Sequence, residues 1–293
     1  ANIPYRINTP DGTETNQSFI TVSGDGWVDV REIRFSGGGA LPITWTDNNS
    51  WEVTVPVSPG ANTITLEAIG FGGVVISQDS VDITGSSTLA PATAANFAIT
   101  EFNYHPGPPT ADEQIAGFLD SDAFEFIEMQ NLSETQAIDL TNLAFTNGIT
   151  FNFPSSTLDP GARVIVAGNE AAFIQRYGGG LPVIGQYQLS NANRLSNDGE
   201  RLRLEDASGT AIADFTYAEG APWPSSADGS GYSLVLMCPG LNDPTLPQSW
   251  RTSATLNGNA NGSDTIDLAT WMVTNRILDL SLDDDGDRSA SLL

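Results

Sequence analysis

Lysine is absent from this 293-residue chain, and histidine and cysteine occur once each, as His105 and Cys238. The absence of lysine excludes Schiff-base chemistry and lysine–asparagine isopeptide crosslinks. A single cysteine cannot form an intramolecular disulfide, and a single histidine excludes a histidine-rich zinc site. A histidine-dependent hydrolase would have to use His105, which lies just before a proline that favours an extended or turn conformation. We therefore expect His105 to be a loop or strand-end residue.

Long apolar runs are also missing. No run approaches the ~20 residues of a membrane-spanning helix, so we expect no membrane insertion. The apolar run over residues 234–237 has the length of a strand and leads into Cys238. This pattern predicts a buried structural thiol. No charged-then-apolar signal segment begins the chain, so Ala1 is interpreted as the start of a mature or truncated chain.

Positive charge is scarce. Eleven arginines stand against 36 acidic residues, and the formal net charge is −25. The excess is spread along the chain, with −7 over residues 1–86, −13 over residues 97–252 and −5 over residues 253–293. Such a surface repels nucleic acid and anionic lipid, because both bind through lysine and arginine. We expect no nucleic-acid partner, and solubility alone is a sufficient reason for the acidity.

Short strands dominate what is present. Trp51, Val53 and Val55 share one parity, with polar residues between them, and this period of two is typical of a half-buried strand. Residues 63–68 alternate in the same way, and the turn Pro59-Gly-Ala-Asn62 separates the two runs. Repeated short strands with Gly, Asp and Asn turns favour a β-sandwich. Residues 51–73 resemble bacterial immunoglobulin-like domains.

The length exceeds one sandwich of about 100 residues, which predicts at least two domains. We divide the chain into a first sandwich (1–86), a linker (87–96), a second sandwich (97–252) and a last segment (253–293) made of an Asn/Gly-rich linker or loop and an acidic C-terminal element. The linker is small, polar and uncharged. In the second sandwich, the spacing of Phe173, Ile174 and Tyr177 before a glycine run predicts a short helix over residues 170–177. Residues 110–122 are predicted to form a polar loop with a helical turn.

Several blocks of the second sandwich carry a family resemblance. They are Ile99-Thr-Glu-Phe-Asn-Tyr-His-Pro106, Phe124-Glu-Phe-Ile-Glu-Met-Gln-Asn131, Ile138-Asp-Leu-Thr141, Leu195-Ser-Asn-Asp-Gly-Glu-Arg-Leu-Arg-Leu-Glu-Asp206, Ala221-Pro-Trp-Pro224 and Ala227-Asp-Gly-Ser-Gly-Tyr-Ser-Leu-Val-Leu236. In this order they resemble the secreted bacterial branch of the lamin-tail domain family. The resemblance implies an immunoglobulin-like β-sandwich without an active site. The resulting fold class is all-β: two immunoglobulin-like β-sandwiches in tandem, followed by a short, partly helical acidic element.

Glu125 and Glu128 are the most suggestive acid pair in this domain, because glycosidases use two carboxylates. Their odd spacing places them on opposite faces of a strand, so they cannot share a cleft from that strand. We expect structural ion pairs with arginines such as Arg163, Arg201 or Arg203. Acid pairs formed across strands stay open at this stage. Trp223 lies between two prolines and is interpreted as a packed loop residue.

The C-terminal element contains an acidic cluster. Asp283, Asp285 and Asp287 occupy positions 1, 3 and 5 of an EF-hand-like or thrombospondin-type loop, whose oxygen ligands suit calcium. Position 6 is Arg288 rather than glycine, and position 12 would be residue 294. We predict a weak calcium site, against the alternative of a solvated acidic tail. A short helix is predicted over residues 267–275, and residues 271–293 resemble the Asp-rich element that follows lamin-tail domains.

Together these features predict a non-enzymatic extracellular or cell-surface structural or adhesion protein. Its expected partners are other surface proteins or extracellular polymers, with self-assembly included. Two alternatives remain open. One is an accessory binding module of a larger secreted polymer-degrading enzyme, and the other is a subunit of a surface fibre.

Overall fold

The computed structural model describes residues 4–262, 264, 277–282 and 288–292. This part of the chain is built from β-sheets with only two short α-helices, and the predicted all-β, immunoglobulin-like fold class is confirmed. None of the helices within these ranges has the length and apolar character needed to cross a lipid bilayer.

Nine strands form the first sandwich. They are β1 (Arg6–Ile7), β2 (Thr13–Thr15), β3 (Phe19–Asp25), β4 (Glu32–Phe35), β5 (Ala40–Leu41), β6 (Thr44–Trp45), β7 (Ser50–Pro56), β8 (Gly60–Ile69) and β9 (Val75–Gly85). One sheet has the order β1-β3-β7-β6 and the other the order β2-β9-β8-β4-β5. Both sheets are antiparallel except where β2 pairs in parallel with β9.

The core of the first sandwich lies between these two sheets. Trp51, Val53 and Val55 of β7 point into it, as their parity predicts, and they cluster with Leu66 and Ala68 of β8. Each fully buried aliphatic side chain contributes roughly 1.5–3 kcal/mol to folding. The alternation along β7 and β8 therefore fixes which face of each sheet turns inward.

The second sandwich contains thirteen strands. They are β10 (Ala90–Pro91), β11 (Phe97–Asn103), β12 (Phe126–Asn131), β13 (Ile138–Asp139), β14 (Ala144–Asn147), β15 (Phe151–Asn152), β16 (Thr157–Leu158), β17 (Arg163–Ala167), β18 (Val183–Gln186), β19 (Arg201–Glu205), β20 (Ala211–Thr216), β21 (Leu234–Leu236) and β22 (Trp250–Thr252). A six-stranded sheet, β18-β17-β12-β11-β21-β22, faces a four-stranded sheet, β15-β14-β19-β20. The strands β10, β13 and β16 form a third small sheet.

Aromatic residues fill the core between the two larger sheets. Phe102 of β11 packs edge-on against Tyr217 and Trp250, with ring centroids 5.1 Å and 5.2 Å away. Trp223 is buried and stacks on Phe215, which agrees with its interpretation as a packed loop residue. Ring pairs of this kind add about 0.5–1.5 kcal/mol beyond the area they bury.

Residues 87–96, treated above as a linker, pack against the second sandwich over part of their length. Ala90–Pro91 pairs in parallel with β13, and Ala92 is buried in the second core. The domain division itself stays a prediction.

The helices lie where the sequence predicts them. Helix α1 (Ala111–Ile115) begins with a capping box between Thr110 and Glu113, which satisfies backbone N–H groups at its first turn. Helix α2 (Glu170–Tyr177) is capped by Asn169. It ends at Gly178, whose φ of +89° favours glycine.

Cys238 is exposed, so the predicted buried thiol is wrong. The strand β21 ends at Leu236, and Cys238 has a φ of +49°, a left-handed conformation. The Cys238 carbonyl accepts hydrogen bonds from the Leu241 and Asn242 N–H groups at 3.0 Å and 3.1 Å. The chain therefore turns at Cys238, and the alternation of the strand no longer directs this side chain inward.

Beyond residue 264 the described residues form one antiparallel hairpin of β23 (Ile277–Leu282) and β24 (Arg288–Leu292). The helix predicted over residues 267–275 lies outside the described residues. So do the predicted calcium ligands Asp283, Asp285 and Asp287.

Candidate functional site

Two glutamates face each other on the outer face of the six-stranded sheet. Glu101 of β11 lies directly opposite Glu128 of β12. A register shift occurs between Ile99 and Glu101, so Ile99 and Phe102 both face the main core although they are three residues apart. This β-bulge turns Glu101 to the side of the sheet that carries Glu128. Only 2% and 1% of the two residues are exposed.

Glu101 is held by two donors. The Ser233 hydroxyl donates to Glu101 Oε1 at 2.5 Å, and the Asn259 backbone N–H donates to the same oxygen at 3.0 Å. Burial raises the pKa of Glu101 to about 7, and the neighbouring Glu128 carboxylate acts in the same direction. The two hydrogen bonds oppose this shift because they favour the charged form.

Glu128 is held in a similar way. The Thr100 hydroxyl donates to Oε1 at 2.7 Å, and the Asn261 backbone N–H donates to Oε2 at 2.5 Å. Arg163 Nε lies 3.0 Å from Oε1, outside hydrogen-bonding alignment, so this contact is an ion pair. Burial raises the pKa of Glu128, against the effect of these partners. The expected ion pair with Arg163 is present.

A cavity of about 380 Å³ lies beside this pair and is called the acidic cavity below. Its walls include Glu101, Glu128, Arg163, Arg251 and Asp264. Arg251 binds Asp264 with 2.5 Å between Nη1 and Oδ2. Three acids and two arginines therefore surround the cavity, and each of the five has a partner within the described chain.

Residues 253–262, here called the covering segment, close one side of this site. Gly258 has a φ of +85°, and a Cβ at this position would lie 2.2 Å from Glu101 Oε1. Glycine therefore allows the backbone to approach the carboxylate closely. The sequence pattern of Asn and Gly suggested a linker or loop here. The structure shows that its N–H groups satisfy buried acids.

Glu125 lies apart from this site, on the other side of the sheet. It immediately precedes β12, and its Oε2 accepts hydrogen bonds from the Tyr187 hydroxyl and, at 3.0 Å, from the Leu195 N–H. Burial raises the pKa of Glu125 to about 9. The predicted separation of Glu125 and Glu128 on opposite faces agrees with this geometry.

His105 lies in the loop after β11, as expected. Its Nδ1 is 2.6 Å from Asp228 Oδ1, and its ring packs against Gly229. A cleft of about 480 Å³ next to it is lined by prolines and by Ser121. Asp228 is the one hydrogen-bond partner of His105 among the described residues. An activated serine requires a bond from its hydroxyl to the imidazole, and no described residue supplies it.

No group of three or more His, Cys, Asp or Glu side chains in the described ranges could hold a metal ion. The calcium prediction rests on aspartates outside those ranges. The acid that sequence reasoning missed is Glu101. Its pairing with Glu128 depends on the bulge and on strand register across 27 positions, and the sequence pattern indicates neither.

Comparison with known proteins gives one family match. Residues 90–219, less than half of the chain, match the family model of the lamin tail domain. This supports the family resemblance of the second sandwich. None of the curated proteins matches the chain.

Two solved structures show distant likeness. Fibronectin(III)-like modules of CbhA from Clostridium thermocellum are 15% identical with a TM-score of 0.23, and the match covers 29% of this chain and 98% of that one. A second structure is SGBP-B of the Bacteroides ovatus mixed-linkage glucan utilization locus, in complex with a mixed-linkage heptasaccharide. It is 11% identical with a TM-score of 0.20, and the match covers 60% of this chain and 47% of that one.

Proposed function

We propose that this chain is a non-catalytic structural and adhesive part of a bacterial extracellular or cell-surface protein. It combines an immunoglobulin-like sandwich, a lamin-tail sandwich and an acidic C-terminal element. One observation carries the proposal: Glu101 and Glu128, the best candidates for acid–base chemistry, serve as anchors for the backbone of the covering segment.

A general acid or base has to come within hydrogen-bond reach of a substrate atom. The side chains of Glu101 and Glu128 are almost fully buried, and their oxygens already bind Ser233, Thr100 and backbone N–H groups. A substrate atom that took one of these oxygens would have to displace its present donor and leave that donor unpaired, at a cost of roughly 1–3 kcal/mol for each one. A structural role requires no such displacement.

The charge of the chain narrows the class of partner. A net charge of −25 opposes binding to nucleic acid or anionic lipid. Binding to other surface proteins or to extracellular polymers does not require basic residues. An accessory module of a larger secreted enzyme and a fibre subunit are the two alternative contexts for the same non-catalytic chain.

Two measurements test the proposal. The purified chain and its Glu101→Gln, Glu128→Gln and His105→Gln variants are assayed on polysaccharide, ester and peptide substrates. We expect no turnover by any of them. Turnover by the parent chain that is lost in a variant with an unchanged melting temperature would overturn the non-catalytic assignment.

The second measurement concerns location. Antibodies raised against the chain should label intact cells of the source bacterium or its culture medium. Signal confined to the cell interior would contradict the surface assignment. Negative-stain microscopy of material from the same cells separates the contexts, since only a fibre subunit gives regular filaments.

A further inference from the structure

Three loops meet at one end of the first sandwich. They span residues 26–31, 46–49 and 70–74, between β3 and β4, β6 and β7, and β8 and β9. Strand register places them together. Asp25 pairs with Ser50 at the ends of β3 and β7, and Ile69 pairs with Glu32 and Val75 in the other sheet. We call this region the loop end.

The loop end exposes large apolar side chains. Trp45 is 40% exposed and Phe71 is 71% exposed, and Val28 lies beside them. Trp45 pairs with Trp51, whose side chain is fully buried. The two side chains therefore lie on the same face of the sheet, and Trp45 lies beyond the edge of the core. Together the three loops enclose an open cavity of about 350 Å³. Clustered exposed apolar residues on a folded domain typically mark an interaction site.

Arg31, which lines the same cavity, is unusual among the arginines. Of the nine arginines whose side chains the structure describes, eight have a carboxylate within 4 Å. Arg31 has no such carboxylate among the described residues, and its guanidinium lies 5.7 Å from the centre of the Phe71 ring. In so acidic a chain, this leaves one set of guanidinium donors free beside an exposed aromatic ring.

An acid and an amide, Asp47 and Asn48, line the same cavity as Arg31. Asp47 Oδ1 accepts hydrogen bonds from the Asn49 and Ser50 N–H groups, both at 2.7 Å, which fix the 46–49 turn. The neighbouring Asn48 amide is exposed and has no hydrogen-bond partner within the described chain. The Asp47 carboxylate and the Asn48 amide therefore place hydrogen-bond acceptors and donors near Trp45, on a turn that two hydrogen bonds hold in place.

We propose that the loop end binds a neutral polysaccharide. A sugar ring offers a face of C–H groups that packs on Trp45 or Phe71, and hydroxyls at its rim that donate to Asp47 and accept from Arg31. A few polar groups around an apolar surface are the usual composition of a small-ligand site. A polyanion is disfavoured, because Asp47 lines the cavity and the first sandwich has a net charge of −7.

This inference deepens the proposed role as an adhesive module and rests on it for its class of partner. The test is titration of the whole chain with soluble neutral probes, namely cello-oligosaccharides, xylan, mannan and β-1,3-glucan, and with alginate as a uronate probe. The variants are Trp45→Ala, Phe71→Ala and Arg31→Gln. Leu241→Ala, an exposed apolar position in the second sandwich, is the matched control.

We expect at least one neutral probe to bind, and the Trp45→Ala and Phe71→Ala variants to bind it roughly tenfold or more weakly, as loss of a stacking contact implies. Arg31→Gln should weaken binding less, and Leu241→Ala should bind as the parent does. Melting temperatures identify any variant that is unfolded, and Phe71→Ala, the more exposed site, keeps the test valid if Trp45→Ala unfolds.

Three results would overturn the inference: no binding of any neutral probe, equal binding by all variants, or binding of alginate alone. Self-association that Trp45→Ala abolishes, without polysaccharide binding, would assign the patch to a second copy of the chain and would also overturn it. Surface labelling and the absence of turnover are measured separately. Failure here therefore leaves the proposed function standing.

Discussion

Arg176 of α2 holds Glu113 of α1 in a two-armed ion pair. Nε and Nη2 lie 2.8 Å and 2.9 Å from the two carboxylate oxygens, and only 4% and 6% of the side chains are exposed. The guanidinium also lies over the Phe124 ring, 3.5 Å from its centre, and donates to the Gly107 carbonyl. The pair lowers the pKa of Glu113 to about 2, chiefly through its hydrogen bonds to Arg176.

We expect Arg176→Ala to lower the free energy of unfolding by about 3–5 kcal/mol, because it leaves the buried Glu113 carboxylate without an opposite charge, with the Thr110 N–H as its remaining donor. Urea denaturation followed by fluorescence measures the loss. The control is Arg6→Ala, which removes a pair with Asp25 in which the arginine is 60% exposed. Its expected cost is at most about 1 kcal/mol. Equal losses in the two variants would show that burial does not strengthen the Arg176 pair.

The second prediction concerns pH and Glu125. Its pKa is about 9 in the folded chain, against 4.5 for an ordinary glutamate, because of burial. Between these values the folded chain keeps a proton that the unfolded chain releases. The contribution of Glu125 to stability is therefore fully present below about pH 4.5 and falls as pH rises towards 9, by up to about 1.4 kcal/mol per pH unit.

Thermal melts of Glu125→Gln between pH 5 and pH 9 test this sign. The amide stays neutral and still accepts from the Tyr187 hydroxyl, so the decline with pH should become shallower. Glu134→Gln, at an exposed carboxylate, should leave the slope unchanged. A Glu125→Gln slope as steep as that of the parent chain would assign the pH dependence to other groups.

The third prediction tests the covering segment. Gly258→Ala places a Cβ 2.2 Å from Glu101 Oε1 and 2.8 Å from Ser233 Oγ, at a φ of +85°. We expect a loss of about 1–3 kcal/mol and faster hydrogen exchange at the amides of Asn259 and Asn261. Gly220→Ala, where a Cβ meets nothing within 4 Å, is the control. Unchanged exchange at both amides would mean that the glutamates do not anchor the segment.

Cys238 gives the fourth prediction. Because the thiol is exposed, a maleimide should modify it to one equivalent in the folded chain, at a rate close to that in urea. Cys238→Ser should abolish the reaction. Slow labelling that accelerates only on unfolding would show that the thiol is buried in the folded chain, as the preceding apolar run predicts.

The fifth prediction is the calcium site of Asp283, Asp285 and Asp287. Neighbouring carboxylates repel one another unless a cation screens them. We expect binding in the millimolar range by calorimetry, as in weak extracellular modules. It should be lost in an Asp283→Asn/Asp285→Asn/Asp287→Asn variant. The same heat signal from both proteins would identify the cluster as a solvated acidic segment.

Local patterns predict much of this fold. The alternation of Trp51, Val53 and Val55 gives the buried face of β7. The spacing of Phe173, Ile174 and Tyr177 gives α2, since both patterns follow from the geometry of a single element.

The remaining features depend on parts of the chain that are far apart in sequence. Glu101 meets Glu128 only through strand register and a bulge. Trp45, Phe71 and Arg31 meet only because three loops end on the same side of one sandwich. The prediction that Cys238 is buried was wrong because the left-handed φ of this residue turns the chain away from the direction of the preceding strand.

The parallel pairing of β2 with β9 has a mechanical consequence. In sequence, β2 lies near the start of the first sandwich and β9 lies at its end. A load that pulls the start and the end of this segment apart therefore runs along both strands. The bonds from the Gly12 N–H to Asp82 O and from the Ser86 N–H to Thr15 O, each 2.8 Å, then resist in shear at the same time. An antiparallel hairpin pulled from its open end loses its bonds one after another. This pairing therefore resists tension that is applied along the chain.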